Sequence, residues 1–309
     1  MKTLSGKLIS KIGIGSYGIG GKGHRGMPIT EKQEDQVYID ALVYSLQKGF
    51  NFTEIALGYG HGKTLSLFKQ ALDKSKVDRK NIFLTHSLYT RDFKSFGEII
   101  KDINSFYEIV QTDYADSTLV TESLVLKFGE NSIYLLLHNL LKSGKTRYVS
   151  LSNASPQFIE AFKNEFGDLF TAHEGHLSFE LRALQDKGVF ELCKNLNVNN
   201  IIWRPLRRGQ SIISKSPSLE ELTNKYGKTK SQIILNWMCH LNYHPMVFSI
   251  NKKHIDENFV ATDFSMTNKD YQRITDFRPL NYNPPEIHWD SLKTDDEIVA
   301  LVKNFDYAP

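Results

Sequence analysis

The feature that most constrains this chain is a repeated alternation. A short β-branched run precedes a segment with helical apolar spacing, eight times in succession. Lys11–Gly15 precedes Glu31–Lys48, where Val37, Leu42, Val43 and Leu46 fall near one face and Gly49 supplies a stop. Phe50–Ile55 precedes Thr64–Leu72, and Ile82–His86 precedes Phe96–Val110 with its stripe of Ile99, Ile100, Ile103, Phe106 and Ile109. Asp116–Thr121 precedes Ile133–Lys142, Tyr148–Ser152 precedes Pro156–Phe166, and Phe170–Glu174 precedes Gly188–Leu196. Asn200–Arg204 leads to helices near Leu219–Tyr226 and Ser231–Cys239. Met246–Ile250 leads to Ile255–Ala261 and Lys269–Thr275.

Eight such units require a parallel sheet, and closing it removes its edges. An open doubly wound sheet would need a glycine-rich phosphate turn after its first strand, and Ile14–Gly21 lacks a strict GxGxxG leading into a helix. The pattern therefore predicts an α/β chain folded as a single (β/α)8 TIM barrel. Residues 1–279 form that barrel, Met1–Ser10 make a short hairpin across its floor, and residues 280–309 form a C-terminal tail packing on it.

Composition narrows the function classes. Thirty-eight Lys and Arg against 35 Asp and Glu leave a formal charge of +3, too little to imply a nucleic-acid partner without a basic cluster. Two cysteines, Cys193 and Cys239, cannot build a disulfide framework and suit a reducing compartment. Met1–Ser10 carries no apolar signal segment, and no run reaches the roughly 18–20 apolar residues of a membrane span. The expectation is a cytoplasmic protein with no membrane partner. The sequence sets no oligomeric state.

Six segments, taken in order, carry a resemblance. They are KIGIGSYGIGG (Lys11–Gly21), FNFTEIALGYGHG (Phe50–Gly62), GKTRYVSLSNAS (Gly144–Ser155), IIWRPLRRG (Ile201–Gly209), KYGKTKSQIILNWM (Lys225–Met238) and HIDEN (His254–Asn258). Over nearly its whole length the chain resembles the aldo-keto reductases, (β/α)8 barrels that bind a nicotinamide cofactor. The resemblance implies NAD(P)H-dependent carbonyl reduction by a tyrosine acid supported by an aspartate, a lysine and a histidine. Tyr59 stands at the tyrosine's position. Glu54 replaces the aspartate, Ser87 the lysine and Thr121 the histidine, so the catalytic set is degenerate, with His86 and Glu122 standing beside the last two. Strand alternation turns His86 and Glu122 away from the face of Ser87 and Thr121 unless a bulge re-aims them.

The cofactor side follows from the same resemblance. Trp203 is placed to stack on the nicotinamide, with Ser152 and Asn153 at its amide; Glu174 stands where the family has a neutral side chain. Arg204, with Arg207 and Arg208, can reinforce pyrophosphate binding. Ser249, His254 and Asn258 occupy the adenosine end, where Phe248 replaces the usual lysine and His254 the usual arginine. NADP(H) is the implied cofactor and NAD(H) the second choice, with a barrel that binds neither as the remaining alternative. The partner is a small-molecule carbonyl or sugar-like ligand. The loops that select it, including Lys22–Thr30, match nothing specific.

Tyrosine has a pKa of about 10 and handles protons poorly at neutral pH without help, whereas positioned acid–base catalysis contributes roughly 10²–10⁴ in rate. Losing the lysine and histidine thus predicts weak activity on simple aldehydes. A catalytically degenerate barrel acting as a ligand-binding or regulatory protein is the alternative. No metal site is expected: His173 and His176 are three apart on a strand and point to opposite faces. Glu54, Glu122 and Glu174 are candidates for paired carboxylates, and Cys193, in an apolar helix, reads as a core thiol.

Overall fold

Parallel strands joined by helical crossovers must cover both faces of their sheet, and the crossovers here are long enough to do so. The computed structural model describes residues 3–4, 7–23, 28–89 and 92–279. An antiparallel hairpin, β1 (Thr3–Leu4) and β2 (Lys7–Leu8), comes first. The next strands are β3 (Gly13–Gly15), β4 (Phe52–Ile55), β5 (Phe83–Leu88) and β6 (Ala115–Thr121). They are followed by β7 (Thr146–Ser152), β8 (Phe170–His176), β9 (Asn199–Trp203) and β10 (Tyr243–Val247). These eight close into a barrel in the order β10-β3-β4-β5-β6-β7-β8-β9. It is a (β/α)8 barrel.

The helices are α1 (Asp35–Lys48), α2 (Lys63–Ser75), α3 (Phe96–Val110), α4 (Glu122–Phe128), α5 (Glu130–Lys142), α6 (Pro156–Phe166) and α7 (Ala183–Asp186). Then come α8 (Val189–Asn195), α9 (Gln210–Ile213), α10 (Pro217–Tyr226), α11 (Lys230–His240), α12 (Lys252–Phe259) and α13 (Asn268–Asp276). None among the described residues is long and apolar enough to cross a membrane. Local chemistry sets their ends. Gly49 terminates α1 at φ 112°, a left-handed conformation that costs glycine little. Thr229 and Gln232 form a capping box on α11.

Three sequence readings change. The last strand runs from Tyr243 to Val247 rather than from Met246 to Ile250, because residues 248–250 leave the sheet to line the barrel mouth and Asn251 caps α12. The stripes on α1 and α3 lose Val37 and Ile100, which are exposed; each lies about 100° around the helix from a buried neighbour, Tyr38 and Ile99. Glu122 opens a helix, α4, that the apolar spacing did not signal.

Inside the barrel, Ile9, Phe52, Phe83, Ala172, Ile201 and Met246 pack into one cluster. Burial of each large apolar side chain contributes about 1.5–3 kcal/mol. Gly13 lies under the Phe52 ring, where a β-carbon would come within 2.4 Å, so any larger residue on β3 would force the buried ring to move. At the floor, Lys7 reaches Asp116 at 2.5 Å and the Ile82 carbonyl at 2.9 Å, which brings the hairpin across the bottom of the barrel as expected. The C-terminal tail expected at 280–309 lies outside the described residues, as do residues 24–27 of the Lys22–Thr30 loop.

Candidate active site

In a parallel barrel all strands end on one face, and the loops after them gather there. At this face a cavity of about 950 Å³ opens. Its wall includes Ser16 and Tyr17 after β3, Glu54 on β4, and Tyr59 in the turn before α2. Tyr89 after β5, Ser152 and Asn153 at the end of β7, Glu174 on β8, and Trp203 and Arg204 at the end of β9 complete the inner part. The volume falls within the roughly 300–1,000 Å³ of small-molecule and cofactor sites.

The inner end is built from phenols and carboxyls. The Tyr89 hydroxyl donates to Glu54 Oε1 at 3.2 Å. Tyr59 packs edge-on to Tyr17 with ring centres 5.3 Å apart and lies 5.8 Å from Tyr89. Burial pushes the Glu54 carboxyl well above the ordinary carboxylate range, against the opposing hydroxyls of Ser87, Tyr89, Ser16 and Tyr59. Glu174 is raised in the same way, by burial first and then by Glu54. Burial, followed by the charges of Glu54, Tyr59 and Glu174, raises the Tyr89 phenol well above its usual value. The strongest influences on these groups come from burial, carboxyls and hydroxyls, not from a cation.

Two expected members of the catalytic set lie differently. Ser87 is buried on β5 and faces the Glu54 carboxyl from below, but does not line the cavity. Thr121 is not drawn into the cluster; its hydroxyl accepts from Leu124 N at 3.1 Å and caps α4. The β5–β6 register runs without a bulge, so His86 stays outside the barrel. There its Nε2 meets Asp102 at 2.9 Å and its ring stacks on Phe106. Glu122 accepts from the backbone N–H and the hydroxyl of Ser155, at 2.6 and 3.0 Å. It ties α4 to the start of α6, the helix contact that alternation predicts.

The residues expected at a nicotinamide do gather. Trp203 Nε1 donates to Asn153 Oδ1 at 3.2 Å, which fixes the plane of the indole, and Asn153 itself takes a left-handed φ of 53°. Ser152 Oγ and Glu174 Oε2 are buried and find no hydrogen-bond partner among the described residues. Buried polar atoms are normally paired, so orphans such as these on one cavity wall point to a ligand. Arg204 and Arg208 line the outer part, their guanidinium carbons 5.9 and 4.7 Å from the Tyr17 ring centre. Arg207 instead turns to buried Glu180 at 3.4 Å, where the Ser211 hydroxyl also donates. At the far end Ser249, His254 and Asn258 all line the cavity, with Lys253 and Ser231. The Ser231 hydroxyl donates to Asn258 Oδ1 at 2.7 Å.

No cluster of three or more His, Cys, Asp and Glu side chains suited to a metal occurs among the described residues. His173, on the outer face of β8, accepts from Ala154 N at 3.3 Å, and burial lowers its pKa to about 3. Cys193 is buried and its thiol is pushed up to about 12 by burial, which makes it inert at neutral pH. Sequence reasoning missed Ser16, Tyr17 and Tyr89. A signal existed for Tyr89: it lies two residues beyond Ser87, so alternation carried just past the end of β5 puts it on the same side.

A model of the aldo/keto reductase family matches residues 11–279. The chain is 24% identical over 252 residues to a 9,11-endoperoxide prostaglandin H2 reductase of Trypanosoma cruzi, covering 81% of this chain and 85% of that protein. Among solved structures, a thermostable aldo-keto reductase in complex with the inhibitor epalrestat is similar, with a TM-score of 0.78 and 21% identity over 87% of this chain and 96% of that one. An aldo/keto reductase of Klebsiella pneumoniae in complex with NADP and acetate gives a TM-score of 0.71 and 17% identity, covering 90% and 95%.

Proposed function

Because the chain belongs to the aldo/keto reductase family, we propose that it is an NAD(P)H-dependent oxidoreductase working at this cavity, with Tyr59 as its proton-handling group. The observation that carries the reading is the unpartnered Ser152 hydroxyl beside the fixed Trp203 indole, on the wall that Tyr59 also faces. When bound, a nicotinamide supplies hydride. Trp203 would offer its ring as a stacking surface, while Ser152 and Asn153 would meet the carboxamide. Arg204 and Arg208 would take the pyrophosphate, and Ser249, His254 and Asn258 the adenosine end. Lys253 and His254 there favour NADP(H) over NAD(H), since a 2′-phosphate needs cations nearby.

Tyr59 works without a lysine to make it acidic. The Glu54 carboxyl, whose pKa burial raises to about 7, shares a hydrogen-bonded cluster with the surrounding phenols and can hold a proton near neutral pH, though it brings no positive charge. This arrangement suits a slow reductase of small carbonyl or sugar-like ligands, weak on simple aldehydes, and two unpaired cysteines fit action in the cytoplasm. Replacement of the family lysine and histidine by Ser87 and Thr121 favours a second reading, a binding or regulatory barrel. Tyr59→Phe separates the two. The oxidoreductase reading expects turnover to fall by about 10² or more with cofactor affinity retained. Turnover of an active substrate unchanged by the substitution removes Tyr59 from the chemistry.

A further inference from the structure

Glu54 and Glu174 stand on strands far apart in the barrel order, yet they share space. Both line the mouth cavity, and both line a void of about 10 Å³ beneath it, room for one water. Glu174 is 3% exposed, and its Oε2 is one of the unpartnered buried atoms on the cavity wall. Around the pair stand Tyr17, Tyr59, Tyr89 and Trp203. Aromatic faces beside carboxyl groups recognise cationic nitrogen, through the ring quadrupole and through direct charge. The same wall already receives cations, because two guanidinium groups lie against the Tyr17 ring.

We propose that the inner end of this cavity takes a substrate whose reacting carbon is double-bonded to nitrogen, an imine reduced as its iminium cation, rather than a neutral carbonyl. The proposal rests on the nicotinamide reading of the same site and names its substrate class.

The chemistry favours this pairing. Carbonyl reduction builds negative charge on oxygen, and catalysis needs donors or cations aimed at that charge. A carboxyl that gives up its proton leaves a negative charge beside the reacting group, which holds a cationic nitrogen but repels a developing alkoxide. An imine nitrogen is more basic, and only its protonated form accepts hydride readily. A buried carboxylic acid donates that proton as the imine enters, and the resulting carboxylate then holds the iminium. The balance is one proton from the carboxyl and one hydride from reduced nicotinamide, which is oxidised. A C–H bond forms, the C=N π pair becomes the nitrogen lone pair, and a neutral amine leaves. Solvent restores the carboxyl proton. The raised affinity of Glu54 and Glu174 for protons supplies the acid at neutral pH.

The test uses the full chain and three ligands of similar shape: 3,4-dihydroisoquinoline, its N-methyl iminium salt and the ketone 1-tetralone. Calorimetry of the iminium salt against the ketone should show tighter binding by about tenfold or more, with the preference lost in Glu174→Gln. NADPH oxidation should be faster with the imine than with the ketone. Equal or tighter binding of the ketone by the wild-type protein overturns the proposal, whether or not the variant folds. So does a cation preference that survives Glu174→Gln in a variant with wild-type circular dichroism. The two levels separate cleanly. NADPH turnover with the ketone and no cation preference removes the imine while keeping the reductase; selective cation binding with no NADPH binding removes the reductase and leaves only the cation subsite.

Discussion

The floor and the mouth of the barrel handle buried charge in opposite ways. At the floor, Asp116 is 1% exposed and meets Lys7 at 2.5 Å, Arg79 at 2.9 Å and Arg147 at 3.7 Å. It also accepts from Leu84 N at 3.0 Å, and the three cations lie over the Tyr114 ring. At the mouth two carboxyls are buried together, and Glu174 keeps an unpartnered oxygen. A charge that only stabilises is surrounded by partners; one held ready for a ligand is left incomplete. The same fold carries both because the strands join ends with different tasks, the floor serving stability and the mouth chemistry.

Breaking the floor should cost the most stability. Asp116→Ala removes the carboxylate shared by three cations and one backbone N–H, and is expected to lower unfolding free energy by about 2–3 kcal/mol, discounted because Lys7, Arg79 and Arg147 are partly exposed. Urea denaturation reads this, and cofactor affinity of the folded fraction should stay unchanged. A change in affinity would mean the two ends are coupled.

The stability contributed by the mouth should depend on pH. Glu54 and Glu174 hold their protons more tightly in the folded chain than their usual value of 4.5, so the folded state binds more protons than the unfolded one. Stability is then greatest below that value and falls as pH rises from it towards neutrality, where the carboxyls must ionise in a buried site. In Glu174→Gln the fall should be shallower. A steeper fall, measured by chemical denaturation across that window, would show that Glu174 is stabilised as a carboxylate instead. The smallest effect belongs to Thr121. As an α4 cap, Thr121→Ala should cost about 1 kcal/mol and leave turnover alone. A loss of turnover without a loss of stability would return Thr121 to the catalytic set.

The alternation of strand and helix made the barrel legible, because closing eight parallel units is the arrangement that buries them all. Position at the barrel mouth was legible for single side chains after a strand: Tyr59, Ser152, Asn153 and Trp203 all line the cavity. Properties made jointly by distant strands were not legible. Glu54 and Glu174 are 120 positions apart, and only barrel closure shows that they border the same void. The Thr121 hydroxyl could serve a site or a cap, and α4 decides, since its first turn needs a partner for an orphan N–H. Arg207 likewise reads as one of three equivalent arginines until buried Glu180 claims it.

The central claim, that the mouth is a nicotinamide site against Trp203, is tested most directly by titrating NADPH into the full-length protein while following tryptophan fluorescence, alongside Trp203→Phe. Saturable quenching in the range of ordinary enzyme affinities, roughly 1 μM to 1 mM, that is largely lost in the variant is the predicted result. Absence of saturable quenching across that range, or quenching unaltered by the loss of Trp203, would contradict it.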